Sequence, residues 1–156
     1  MTTNGDVTIR EARRGDLAPV VALLADDPLG ATRERPGEPL DPAYLEAFEA
    51  MRVQVGNTLL VAVRDGTVVG CLQLVVIPGL SRSGMVRAQL EGVRVARDQR
   101  GTGIGERLVE AAVARALAAG CGLAQLTTDV ARGDAKRFYE RLGFEATHHG
   151  MKRPLR

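Results

Sequence analysis

Between Arg100 and Gly105 the chain reads Arg-Gly-Thr-Gly-Ile-Gly, three glycines at alternate positions led by an arginine. Such a run, where a strand gives way to a helix, can close backbone N–H groups around an anion. The unpaired donors of the first helical turn and the helix dipole both favour negative charge there. Side chains at Gly101, Gly103 or Gly105 would hold an anion off or forbid the turn, and Arg100 offers a charged fork to a phosphate oxygen. The spacing is Gly-x-Gly-x-Gly, so it meets neither the dinucleotide fingerprint nor the Gly-Lys-Ser/Thr of a P-loop. Taken alone, it also fits a tight strand-to-helix connection that binds nothing.

A second run narrows the choice. Arg100-x-x-Gly103-x-Gly105 after Val93-x-Val95, followed by Ala135-x-x-Phe138-Tyr139-x-x-Leu142-Gly143-Phe144, resembles the two signatures of the GNAT N-acetyltransferase superfamily, in order. The resemblance covers the chain from about Thr58 onward. It implies acetyl-CoA as cosubstrate, with no metal, and a mixed α/β fold in which two parallel central strands splay apart. It assigns coenzyme contacts to Val93, Arg94 and Val95 on a strand edge, and to Arg100, Gly101, Thr102, Gly103, Ile104 and Gly105 in the loop. Pantetheine amides can pair with such an edge by strand addition, and an N–H near Val93 would polarise the thioester carbonyl.

Transfer to an amine needs a base, because an alkylamine is mostly protonated at neutral pH. Glu91, two residues before Val93, is the candidate, against the alternative of a surface carboxylate. Some members of the family place the acid on the next strand, where this chain has Thr127; Asp129 is the reserve. The resemblance puts Tyr139 beside the sulfur as proton donor to the departing thiolate, while Phe138 packs; the alternative is a core aromatic. Where many members carry an asparagine, this chain has Arg132, expected to hold a coenzyme phosphate or pantetheine carbonyl. The run from Arg132 to Tyr139 is similar to members that acetylate aminoalkylphosphonates. No cysteine stands in either signature, so the expectation is direct attack in a ternary complex rather than an acetyl-cysteine. A small amine is the expected acceptor. A protein or peptide acceptor stays open, as does a non-catalytic acyl-CoA sensor on the same scaffold.

These residues need positioning elements. A strand is expected at residues 7–10 and a helix at 17–25 capped by Asp16. A loop with Arg33, Glu34, Arg35 and Glu38 follows, either solvated charge or a substrate-selecting flap. Asp41-Pro42 can cap and open a helix with Tyr44, Leu45, Phe48 and Met51 on one face. Residues 58–64 and 68–77 read as strands joined by an Asp65-Gly66 hairpin turn. A strand at 85–95 carries Gly92, either a bulge or a packing gap. The helix at 103–119 has Ile104, Leu108, Ala111, Ala112, Ala116 and Leu117 for its sheet side. A parallel strand at 123–130, a helix at 134–142 and a last hairpin at 144–147 and 151–153 complete six to seven strands and about four helices.

Composition agrees with one domain over residues 1–156. Hydrophobic residues are 45% and charged residues 26%, as in an ordinary globular chain. Aromatics are only 3% and the net charge is +2, which gives no case for a base-stacking nucleic-acid surface or for membrane attraction. The start is polar, with no apolar secretory core, so a cytoplasmic protein is expected. Cys71 and Cys121 lack metal-ligand spacing and read as buried free thiols. His148 and His149, adjacent on an expected strand, would point to opposite faces and are poor joint metal ligands. The family often dimerises, so a homodimer stays open, with no residue specifying an interface.

Overall fold

The computed structural model describes residues 6–156; the first five residues, on which the reading of a polar start falls, lie outside the described residues. Five strands form one sheet in sequence order: β1 (Val7–Glu11), β2 (Asn57–Arg64), β3 (Thr67–Ile77), β4 (Arg87–Val95) and β5 (Leu123–Gln125). Neighbours are antiparallel except β4 and β5, which run parallel. The helices are α1 (Leu17–Ala25), α2 (Pro42–Val53), α4 (Ile104–Ala118) and α5 (Gly133–Arg141), with α3 (Ser81–Gly84) a single turn whose Arg82 and Ser83 take left-handed φ of 57° and 59°. Because β4 and β5 are parallel, the chain must cross over between them, and α4 is that crossover.

The hairpin turn forms as its sequence dictates. Asp65 and Gly66 both take positive φ, 49° and 75°, between the paired residues Arg64 and Thr67. The Asp41 carboxylate accepts the Ala43 N–H and Pro42 opens α2, whose Phe48 is buried. Asp16 works differently from the expected cap. Its carboxylate makes no bond to the first turn of α1; it accepts the Arg13 N–H at 2.7 Å and two bonds from the Arg10 guanidinium. It thereby ties β1 to the turn that precedes α1.

α4 fills one face of the sheet. Ile104, Leu108, Val109, Ala112 and Ala116 are buried and pack with Leu60, Ala62, Leu72, Leu74, Ala88 and Leu90. Burying a large aliphatic side chain here contributes about 1.5–3 kcal/mol, so Leu108→Ala is expected to cost about 2–5 kcal/mol. Leu117, expected on this face, is 69% exposed. It lies about two and a half turns beyond Leu108 and so points away from the sheet. On the other face α1 sets Val20 and Leu23 against Val61 and Cys71. Burial pushes the Cys71 thiol up to about 12, so this cysteine is an inert packing group.

Two expected features are absent among the described residues. β5 stops at Gln125, where residues out to 130 were expected to continue, and residues 144–156 contain no strand, so the sheet has five strands instead of six or seven. Past Gln125 the chain turns away: the Asp129 carboxylate accepts the Ala131 N–H, and its carbonyl accepts the Arg132 N–H. Phe144 still packs on the core, but further on Met151 and Leu155 are about nine-tenths exposed and bury nothing against the sheet. No helix is long and apolar enough to cross a membrane, among the described residues.

Candidate active site

Pairing between β4 and β5 covers only Arg87–Gln89 against Leu123–Gln125. Beyond Gln89 the two strands part, and a cleft opens between them. Leu90, Gly92, Val93 and Arg94 form one wall, Leu126, Thr127 and Thr128 the other, with Arg132, Ala135 and Tyr139 at the α5 side. The splayed parallel pair is therefore present. Its cause is visible in β4, where Leu72 of β3 faces both Gly92 and Val93 across a break in register. Gly92 has φ 57°, a conformation suited to glycine, so it is a bulge rather than a packing gap. The extra residue turns Arg94 to the α1 face, opposite Cys71, and leaves Val93 and Val95 packing toward α4.

β4 runs directly into the glycine loop. Gly101 and Gly103 hold φ of 75° and 85°, and Gly103 is the residue that caps α4. The first backbone bond of the helix runs from Arg107 N–H to Gly103 C=O, which leaves the Ile104, Gly105 and Glu106 amides without an intrahelical acceptor. The Ile104 side chain is buried, so only its backbone faces the loop. Thr102 Oγ1 donates to Gln99 C=O at 2.6 Å and braces the turn. Arg100 Nε donates to Val95 C=O at 3.2 Å, and its guanidinium lies 4.0 Å from Asp26.

The expected base, Glu91, is exposed on the face of β4 opposite Leu90 and beside its cross-strand neighbour Gln73. Gln89 Nε2 donates to Glu91 Oε1 at 3.2 Å, and Gln125 Nε2 donates to Gln89 Oε1 at 2.8 Å. The reserve, Asp129, is a turn former. Tyr139 is half-buried in the cleft, edge-on to Phe138 and Phe144 with ring centroids 5.0 and 5.8 Å apart. Burial pushes its phenol above the ordinary value, while the nearby Arg94 and Arg132 guanidinium groups work against that rise.

Arg132 stands at the N-cap position of α5 and forms an ion pair with Asp27 Oδ2 at 2.7 Å; Arg94 Nε approaches the same oxygen at 3.4 Å. Burial works against the charge of Asp27. The Gly30 N–H and the Arg132, Arg94 and Arg33 guanidinium groups outweigh it and hold the carboxyl below its usual range. Asp27 was not singled out in the sequence, where nothing distinguishes it from its neighbour Asp26. The charges of the 26–41 loop are largely paired: Arg33 with Glu34, Arg35 with Asp41, and the Tyr44 hydroxyl donating to Glu34 at 2.8 Å. A wider hollow between the end of α2 and the start of β2, around Phe48, Met51 and Asn57, gathers none of the candidate residues. Among the described residues no cluster of His, Cys, Asp or Glu is placed to hold a metal ion.

The architecture, a splayed sheet with a glycine-capped crossover helix, is that of an acyltransferase. The chain belongs to the acetyltransferase (GNAT) family, whose model matches residues 21–144, and it is an N-acetyltransferase. It is 30% identical over 113 residues to the aminoalkylphosphonate N-acetyltransferase of Salmonella typhimurium, covering 72% of this chain and 73% of that one. A crystal structure described as a transcriptional regulator from Bacillus halodurans is 49% identical, with a TM-score of 0.93 over 96% of this chain and all of that one. A putative acetyltransferase from Agrobacterium tumefaciens is 27% identical, with a TM-score of 0.82 over 94% of this chain and 99% of that one.

Proposed function

We propose that this protein, acting as one domain, moves the acetyl group of acetyl-CoA onto a small amine by direct attack in a ternary complex. The supporting observation is one continuous arrangement. Unpaired amides at the start of α4 adjoin an edge of β4 that has lost its β5 partner, and that edge borders the cleft that Tyr139 enters. The residues fit the coenzyme. The α4 amides suit its diphosphate and the free β4 edge, Val93 to Val95, suits its amide arm. Arg100 and Arg132 stand beside these two parts, Arg100 near Asp26 and Arg132 paired with Asp27.

Bound acetyl-CoA supplies an acyl group already activated as a thioester. Glu91 takes the proton that an ammonium acceptor must lose, directly or through one water. The backbone amide at Val93 offers a hydrogen bond to the acyl oxygen as charge develops on it. Tyr139 gives its phenolic proton to the departing sulfur, and burial keeps that proton in place at neutral pH. The name of the Salmonella relative makes aminoalkylphosphonates the first acceptors to try.

The test is thiol release from acetyl-CoA with a panel of aminoalkylphosphonates, simple amines, polyamines and peptides. Turnover with a small amine is expected. Turnover with peptides alone would replace the acceptor class. The Bacillus halodurans relative, described as a transcriptional regulator, favours a second reading as an acyl-CoA sensor. That reading requires coenzyme binding with no turnover on any amine.

A further inference from the structure

Asp27 joins three separate parts of the fold. It lies just beyond the end of α1, and its carboxylate meets Arg94 from β4 and Arg132 from the start of α5. Both arginines line the cleft that opens where β4 and β5 stop pairing, Arg94 on the β4 wall and Arg132 at the α5 side. The ion bridge therefore ties the β4 wall of the cleft to the start of α5. It is well shielded: the side chains of Asp27, Arg94 and Arg132 are 19%, 13% and 26% exposed. Asp27 is fixed in turn by the Gly30 N–H, which donates to its other oxygen.

The bridge has an electrostatic consequence for the cleft. Two guanidinium groups share one carboxylate, so the triad carries a net charge of +1. Without Asp27 the two cations would repel each other, and burial already opposes the charge on Arg94. Both arginines line the same cleft as Tyr139, and a fixed positive charge there favours the loss of a phenolic proton and the arrival of negative charge on a departing sulfur. Arg94 also donates to the Val93 carbonyl at 2.9 Å, so its position is coupled to the edge that borders the cleft.

We propose that Asp27 is a positioning residue: by linking Arg94 and Arg132, it holds both cations in the cleft that Tyr139 lines and fits that side chain to protonate the leaving group. The role of Tyr139 as proton donor comes from the proposed function, and the inference rests on it. The bridge itself is tested without any turnover.

The chain has two tyrosines and no tryptophan. In a Tyr44→Phe background, Tyr139 is the sole phenol, and its ionisation is read directly by ultraviolet absorbance. The charged groups facing it are Arg94 from β4 and Arg132 from the start of α5; its other neighbours are the Phe138 and Phe144 rings. If Asp27 holds the cations in place, Asp27→Asn lets them disperse and the midpoint rises by about half a pH unit. If Asp27 is merely a nearby negative charge, its removal lowers the midpoint. A fall or no change overturns the proposal. Should Asp27→Asn fail to fold, Asp27→Ser is read the same way, since it keeps an oxygen for the Gly30 amide.

Turnover supplies the second readout. Asp27→Asn is expected to lower kcat about tenfold while the KM for acetyl-CoA moves less than about threefold. Asp16→Asn, which breaks a comparably buried ion pair away from the cleft, controls for lost stability and should leave kcat near wild type. Equal losses in the two variants would reduce Asp27 to a structural role. If the wild type turns over no amine while the midpoint still rises, the bridge stands and the proposed function fails.

Discussion

A Cβ placed on Gly105 would stand 3.2 Å from Cζ of Phe138, so the third glycine of the loop makes room for an aromatic ring of α5. Gly103, two residues earlier, has open space around it and instead needs its positive φ of 85°. The two glycines should therefore fail differently. Gly103→Val adds about 1–2 kcal/mol of backbone strain and displaces the amides at the head of α4. Calorimetry should show acetyl-CoA affinity down by about tenfold or more. Gly105→Ala should cost about 1 kcal/mol of stability as the ring gives way, with affinity within about threefold of wild type. Full affinity in Gly103→Val would remove the phosphate role from this loop.

Tyr139→Phe deletes one hydroxyl and keeps both edge-on ring contacts, so the fold should persist. Loss of a general acid typically costs 10²–10⁴-fold, and kcat is expected to fall by about 10² with little change in the KM for acetyl-CoA. Steady-state kinetics in both substrates separate the two constants. An unchanged kcat would leave Tyr139 as a packing residue only.

Glu91→Gln keeps the shape of the side chain and its bond from Gln89, and removes the base. The expected loss in kcat/KM for the acceptor is about 10² at neutral pH. It should shrink as pH rises past about 10, where an alkylamine is increasingly the free base. A loss that stays constant across that range would assign Glu91 a binding role and move the base elsewhere.

Much of this arrangement was legible in the chain. The Asp65-Gly66 turn settled the β2–β3 hairpin because few other dipeptides accept two positive φ values. The apolar stripe of α4 settled the crossover helix, with Leu117 misjudged by its place on the wheel. The residues after Gln125 are β-prone and read as more strand, yet β5 ends where its partner bends away. That bend is set by the bulge at Gly92, on a different strand. Asp27 was invisible for a related reason. Its partners, Arg94 and Arg132, are distant in sequence, and only the folded cleft brings the three charges together.

Two carboxylates should govern acid stability. Asp16 is held below its usual pKa first by the Arg10 guanidinium and then, against the cost of burial, by the Arg13 N–H. Asp27 is likewise depressed, its burial outweighed by the Gly30 amide and by Arg132, Arg94 and Arg33. A carboxylate depressed in the folded state contributes stability that is fully present above its unfolded value, about 3.9. That contribution is lost as pH falls through the lower, folded value. Melting temperature should therefore be nearly flat from pH 7 to about pH 5 and drop below about pH 4. Asp16→Asn should lose about 1–3 kcal/mol at neutral pH, because hydrogen bonds to a charged group are worth that much. Its own acid-induced decline should be shallower than that of the wild type, since one of the responsible groups is gone. Chemical unfolding followed at pH 7 and pH 3 measures both quantities, and a wild-type stability that rises on acidification would contradict the sign for both residues.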